Sequence, residues 1–208
     1  MDIRWQDPWT LVVACWTCLV LAGVLSLGYY DNRPAAVTPP PARFPMDSTL
    51  TRQAGRPLLL TFAHPKCPCT RATLYNLETI ATRYARQIDI WFVCMMPQEK
   101  QATWRQASLP VRAATHKQLN VFEDVDGVEA RRFHVGTSGE TVLYDAQGSL
   151  VFSGGLTVGR GHAGESRGTQ AIESFLTGSG TIKNSAVFGC RLFEKQDEGA
   201  CNQCRMEP

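Results

Sequence analysis

The run Pro57-Leu58-Leu59-Leu60-Thr61-Phe62-Ala63 is apolar but for one threonine, and it stops at His64-Pro65-Lys66-Cys67-Pro68-Cys69-Thr70. Apolar continuity of this length, without the alternation of a half-exposed strand, marks a strand covered on both faces, as in the middle of a parallel or mixed sheet. Beyond the cysteines, Leu74, Leu77, Ala81 and Tyr84 recur at helical spacing while Arg71, Glu78, Arg83 and Arg86 can point outward, so a helix is expected over 70–86. A second apolar run, Ile88-Asp89-Ile90-Trp91-Phe92-Val93-Cys94-Met95-Met96, follows. Strand, helix and strand in this order form a βαβ unit with a right-handed crossover and a parallel pair. Two thiols therefore sit where a strand turns into a helix. The unpaired N–H groups and positive dipole end of a helix start favour thiolate over thiol, so cysteine there is expected to be acidified and reactive.

The remaining pattern extends this unit. Residues 98–119 are polar and helix-compatible, with Pro110 expected to divide them into two pieces. A strand is expected over 120–124, and Asp124-Val125-Asp126-Gly127 reads as an ordinary turn because the other ligands of a calcium loop are missing. A short helix over 128–135 leads through Gly136-Thr137-Ser138-Gly139 into a strand over 141–145. Ala146-Gln147-Gly148 then turns the chain back along 149–153 as an antiparallel hairpin. Residues 154–168 hold six glycines and are too long for a simple connection, so they are functional or mobile. Ile172, Phe175 and Leu176 mark a closing helix ending at Gly178. A parallel half followed by a hairpin gives an α/β fold, a mixed sheet flanked by helices.

Ahead of this domain, residues 9–30 are 22 residues without a charge, enough to cross a bilayer as a helix. Trp5 and Trp9 at one end and Tyr29 and Tyr30 at the other resemble interfacial aromatic belts. The run outlasts the ~7–15-residue apolar core of a cleaved signal, and an uncleaved anchor is expected. Arg4 on one side and Arg33 and Arg43 on the other do not orient it; a single amino-terminal anchor before a long domain points to a domain outside the cytoplasm. The organisation expected is a flank over 1–8, an anchor over 9–30, a proline-rich linker over 31–47 that holds the domain off the membrane, a folded domain over 48–180 and a cysteine-containing tail over 181–208. Cys15 and Cys18 within the anchor read as small polarizable residues on a lipid-facing helix. With 44% apolar residues the chain can build one real core, and its net charge of +2, with both signs interspersed, excludes the basic footprint of a nucleic-acid binder. Phosphate-cradling loops, nucleophile elbows and paired glycosidic carboxylates are absent from the sequence.

The order of landmarks resembles the thioredoxin-like fold. More narrowly, His64-Pro65-Lys66-Cys67-Pro68-Cys69-Thr70-Arg71-Ala72, Glu129-Ala130-Arg131-Arg132-Phe133, Phe152-Ser153-Gly154-Gly155 and Val187-Phe188-Gly189-Cys190 resemble membrane-anchored bacterial RedB-type proteins with a Cys-Pro-Cys motif, over about residues 50–192. The resemblance implies a thiol/disulfide oxidoreductase of the bacterial inner membrane, single-pass, acting on protein thiols or disulfides, with a membrane reductase as a further partner and no cofactor beyond a redox-active disulfide. Cys67 would be the nucleophile, favoured by Lys66 and the helix start, and Cys69 the resolving thiol. His64 would tune the pair or be held by hydrogen bonds in the loop.

Two departures from ordinary thioredoxins stand out. A single residue separates the cysteines, so their disulfide would close a smaller, more strained and more easily reduced ring. Gly139 occupies the place of the usual cis-proline and can supply an unusual backbone without it. A second class of reading is Cu(I) binding by Cys67, Cys69 and His134, a soft S/S/N set as in Sco-type copper-delivery proteins, though the spacing differs from theirs. A third is a non-catalytic interaction domain. Cys94 reads as core, and His116 and His162 as isolated surface histidines. Cys190 is left as a candidate either to pair with Cys201 or Cys204 in an oxidising compartment or to form part of a metal site with them.

Overall fold

The computed structural model describes residues 8–180 and 182–193, and the chain divides into two compact units, 1–33 and 34–208. Cys201 and Cys204 lie outside the described residues, as do Arg4 and Trp5. The first unit is the helix α1, Pro8–Asn32, whose 25 residues carry none buried. At 1.5 Å per residue it is about 37 Å long, enough to cross the apolar core of a bilayer.

The second unit is built on a five-stranded mixed sheet in the order β3-β2-β1-β4-β5. The strand β1, Leu58–Ala63, lies at its centre with every residue buried, as its apolar continuity demands. It runs parallel to β2, Asp89–Met96, which is parallel in turn to β3, Asn120–Val125. On its other side it is antiparallel to β4, Glu140–Tyr144, and β4 to β5, Leu150–Gly155, across a register shift at Leu143/Tyr144. One face is covered by α2 (Thr70–Tyr84), α4 (Ser108–Thr115) and α6 (Arg167–Thr177): Leu74, Leu77, Ile80, Leu109 and Ile172 pack there on Leu59, Ile90, Phe92 and Leu143. On the other face Leu58, Leu60, Phe62, Val142 and Tyr144 meet Ala130 of α5 (Val128–Arg132) and Phe133 just beyond it. Each fully buried leucine here contributes about 2 kcal/mol through removal of its apolar surface from water.

Four expectations change. The break in 98–119 precedes Pro110: a 3-10 turn at Gln98–Lys100 and α3, Gln101–Arg105, end before it, and Pro110 lies buried in the first turn of α4, where a missing N–H leaves no helix hydrogen bond unmade. The closing helix begins earlier, because Ser166 and Thr169 form a reciprocal capping box. Residues 34–47, expected as a free spacer, instead lie along the domain. The Phe44 ring packs edge-on against Phe133 and Tyr144, and the Phe44 N–H donates to Gly148 O and the Leu150 N–H to Ala42 O. Glu129, 1% exposed, clamps the next residues by accepting from the Ser48 hydroxyl and from Thr49 N–H and hydroxyl. The first part of the expected tail is also built in: the Ser138 N–H donates to Cys190 O and the Leu192 N–H to Gly136 O, with Val187 and Leu192 buried. The Asp124 turn is used internally, its carboxylate accepting from the Glu129 and Ala130 N–H groups at the start of α5.

Candidate functional site

Strand β1 delivers the chain into a tight turn at residues 64–70. The Cys67 N–H donates to His64 O at 3.0 Å and the Thr70 N–H to Cys67 O at 3.2 Å, so the cysteine motif is already wound as the opening of α2. Ser138 fixes this turn from the neighbouring loop: its hydroxyl accepts from the His64 N–H at 2.8 Å and shares a 2.6 Å hydrogen bond with the Thr70 hydroxyl. Gly139 follows at φ +90°, with its N–H on Phe62 O at 2.7 Å. That conformation suits glycine, and a Cβ there would stand 3.0 Å from the Thr73 hydroxyl.

Cys67, Cys69 and Cys190 converge, with sulfurs that all lie within 4.8 Å of one another. Cys67 is 2% exposed, while Cys69 and Cys190 are half-buried. The approach of Cys190 depends on Gly189, where a Cβ would fall 1.7 Å from Ser138 O. Only glycine lets the tail backbone press so closely on the loop. Arg160, from the glycine-rich stretch, donates to Gly189 O at 2.7 Å and also hydrogen-bonds Cys69. This gives that stretch a role at the site.

The acidities follow from this packing. Burial opposes ionisation of Cys67, but hydrogen bonds from the Thr70 hydroxyl, the Cys190 thiol and the backbone N–H groups of both residues outweigh it and hold Cys67 below its ordinary value. Burial and the Cys67 charge raise Cys69, with Arg160 pulling the other way. Cys190 is pushed up to about 12, by burial first and then by its hydrogen bond to Cys67. The Cys67 and Cys190 sulfurs lie 3.1 Å apart, and once Cys67 ionises its thiolate accepts from the Cys190 thiol.

The supporting residues named from the sequence divide. The His64 ring lies 4.7 Å from the Trp104 ring, and its Nδ1 accepts from the Lys66 N–H at 3.2 Å. The Lys66 ammonium sits over the Trp104 ring at 5.8 Å, so it is Thr70 and Cys190, rather than Lys66, that acidify Cys67. His134 stands apart from the sulfurs, with its Nδ1 on Pro39 O at 3.0 Å. Among the described residues the donor group able to hold a metal is Cys67, Cys69 and Cys190. Cys94 is fully buried in the core, as its sequence context suggests. Beside the site a cleft of about 870 Å³ is bordered by His64, Trp104, Arg131 and Arg191; none of the three cysteines lines it. The sequence points Cys190 toward Cys201 or Cys204 and gives no sign that Arg160, Ser138 and Thr70 meet at the cysteines. The one local signal for Cys190 was the glycine before it.

No family model matches the chain, and no curated protein does. Among solved structures, an uncharacterized conserved protein from Geobacillus kaustophilus superposes with a TM-score of 0.57 at 15% identity, covering 79% of this chain and 93% of its own. A hypothetical protein from Sinorhizobium meliloti does so at 0.54 and 20% identity, covering 66% and 79%. A secreted Mycobacterium tuberculosis disulfide oxidoreductase aligns at 0.40 and 16% identity over 60% and 83%, too distant to bear on activity. With two parallel crossovers leading to an antiparallel hairpin, and a cysteine motif where the central strand meets its helix, the domain has a thioredoxin-like fold.

Proposed function

We propose that this chain is a membrane-anchored thiol/disulfide oxidoreductase whose reacting thiol is Cys67. The observation that carries this reading is an acidified sulfur at the opening of a helix, with two further thiols within 4.8 Å. Such a thiolate attacks one sulfur of a partner disulfide, and a neighbouring thiol then resolves the mixed disulfide. Cys69 of the Cys-Pro-Cys motif and Cys190 both stand near enough to Cys67 for that step. The partners are protein thiols or disulfides and a membrane reductase that recharges the site. The apolar α1 is the anchor of a single-pass bacterial inner-membrane protein with its domain outside the cytoplasm. The narrower RedB-type likeness is supported by how its motifs meet: Gly155 of one lies against Ala186 and Val187, where a Cβ would stand 2.6 Å from Ala186 O, and Cys190 of another lies against Cys67.

A second reading, Cu(I) binding, is favoured by the three clustered sulfurs, since soft thiolate ligands suit that ion. Cys67, Cys69 and Cys190 would hold it, with Cys190 in the place first given to His134. Full-length wild type, Cys67→Ser and Cys69→Ser in detergent separate these readings. Thiol alkylation across a redox-buffer series is expected to show a two-electron couple that vanishes in Cys67→Ser. Its absence, together with stoichiometric Cu(I) uptake that needs the thiols, would establish the copper reading instead. Absence of both would leave an interaction domain.

A further inference from the structure

We propose that Cys190, brought in by the carboxy-terminal segment, is the thiol that resolves Cys67, so that the oxidised protein carries a Cys67–Cys190 disulfide rather than a bond within Cys-Pro-Cys. This rests on Cys67 being the exchanging thiol and goes beyond it by naming the partner. The first support is geometric. Residues 67–70 form a tight turn ahead of α2, with the Thr70 N–H on Cys67 O at 3.2 Å and Cys69 in the right-handed helical region at φ −65° and ψ −34°. The Cys67 and Cys69 sulfurs lie within 4.8 Å of each other, but a bond between them has to close a ring that spans a single residue inside this turn. So small a ring is strained, and closing it would distort the turn that Ser138 and Thr70 hold.

Cys190 meets no such obstacle. It comes from a separate segment, 123 residues along the chain, and is aimed by the Ser138 N–H on its carbonyl at 2.8 Å, the Leu192 N–H on Gly136 O at 2.9 Å and the contact at Gly189. Its sulfur, at 3.1 Å from that of Cys67, needs to close by only about 1 Å to reach a disulfide bond length.

The reaction balances without a further reagent. The Cys67 thiolate attacks one sulfur of a substrate disulfide; that S–S bond breaks, a Cys67 mixed disulfide forms and the first substrate thiolate leaves. The Cys190 proton passes to that leaving sulfur. The Cys190 thiolate then attacks the Cys67 sulfur, and the second substrate thiolate leaves and is protonated from water. The substrate disulfide gains two electrons and becomes two thiols, and Cys67 and Cys190 lose two and become a disulfide. The oxidised form ties the tail to the start of α2 across a long loop, which constrains the unfolded chain far more than a bond spanning one residue.

Trypsin makes the pairing readable. Cleavage after Lys66 and Arg71 isolates 67–71 with both motif cysteines, cleavage after Lys183 and Arg191 isolates 184–191 with Cys190, and Cys201 and Cys204 fall together in 196–205. Full-length protein in detergent is oxidised with glutathione disulfide, its free thiols are alkylated, and the peptides are identified by mass spectrometry. The expected product links 67–71 to 184–191 with Cys69 alkylated, and Cys69→Ser still forms this link. In Cys190→Ser the glutathione adduct on Cys67 should persist at least about tenfold longer than in wild type, because its resolving thiol is gone. An internal link in 67–71 with Cys190 alkylated, or a link from Cys190 to 196–205, overturns the proposal while leaving exchange at Cys67 intact. No adduct or link at Cys67 in any variant overturns both.

Discussion

Glu140 is the first residue of β4, opposite Gly155, and is fully buried with both carboxylate oxygens lacking a hydrogen-bond partner. By strand alternation it shares a face with Val142 and Tyr144, in the apolar layer. Burial raises its pKa from 4.5 to about 7; the backbone of Gly136 and Thr137 pulls the other way without closing a hydrogen bond of normal geometry. At 1.36 kcal/mol per pH unit, this difference makes the folded state about 3 kcal/mol less stable once the group is ionised in both states. The sign follows from proton binding. Below about 4.5 both folded and unfolded chains hold the proton and nothing is lost. Between about 4.5 and 7 only the unfolded chain releases it, and stability falls. Above 7 the loss is complete. Asp124, also raised by burial, adds a fall of the same sign, whereas Asp47 and Glu123 are lowered and act only in more acid solution. Glu140→Gln keeps the shape and removes the titration. Guanidinium unfolding of the full-length protein in detergent at pH 5, 6, 7 and 8 should show wild type losing about 2.5 kcal/mol across the series, and Glu140→Gln losing much less. A flat wild-type profile, or the same slope in the variant, would refute the assignment.

Glu129→Gln leaves the Ser48, Thr49 and Arg132 donors with a neutral partner and should lower unfolding free energy by about 2–4 kcal/mol, read from the denaturation midpoint; an unchanged midpoint would mean that the 45–50 segment is anchored elsewhere. Gly189→Ala places a Cβ 1.7 Å from Ser138 O, so the tail must lift away, and native-state alkylation of Cys190 should accelerate while that of Cys94, in the core, does not. Thr70→Val removes the hydroxyl that helps acidify Cys67, and the pH at which iodoacetamide reaction at Cys67 is half-maximal should rise; no rise would show that the remaining donors suffice.

The central strands were legible because burial on both faces leaves a distinctive composition: beyond the apolar run of α1, β1 and β2 are the two long apolar runs of the folded domain, and the cysteines mark where β1 ends. Pro110 was misread because a proline breaks a helix interior but opens a helix equally well, and the choice depends on where the preceding turn stops. Residues 34–47 read as spacer because prolines lack N–H groups, yet their carbonyls still accept: Tyr144 donates to Pro41 O at 3.0 Å, and His134 meets Pro39 O. Glu140 gave no signal, since one acid at a strand start is ordinary until its neighbours are known. Cys190 was obscured by distance along the chain. Its partner is set by the pressing of Gly189 on Ser138, a contact between segments that no local periodicity encodes.

The three thiols share interactions, so they titrate as one unit rather than as separate groups. The hydrogen bond that lowers Cys67 raises Cys190, and the charge on Cys67 raises both Cys69 and Cys190. Cys67 is therefore the first of the three to ionise, and it holds back the other two. When that sulfur enters a mixed disulfide, its charge disappears and two of the causes holding the Cys190 proton disappear with it. Attack by the first thiol thus readies the second, which orders the steps without any movement of the backbone. Burial, the largest cause for Cys190, remains, so its acidity recovers only part of the way. Cys67→Ser mimics the uncharged state: the pH dependence of Cys190 alkylation should move to lower pH than in wild type while staying above that of a free cysteine. An unmoved profile would mean that burial alone sets Cys190 and that the charge on Cys67 has no part in timing the second step.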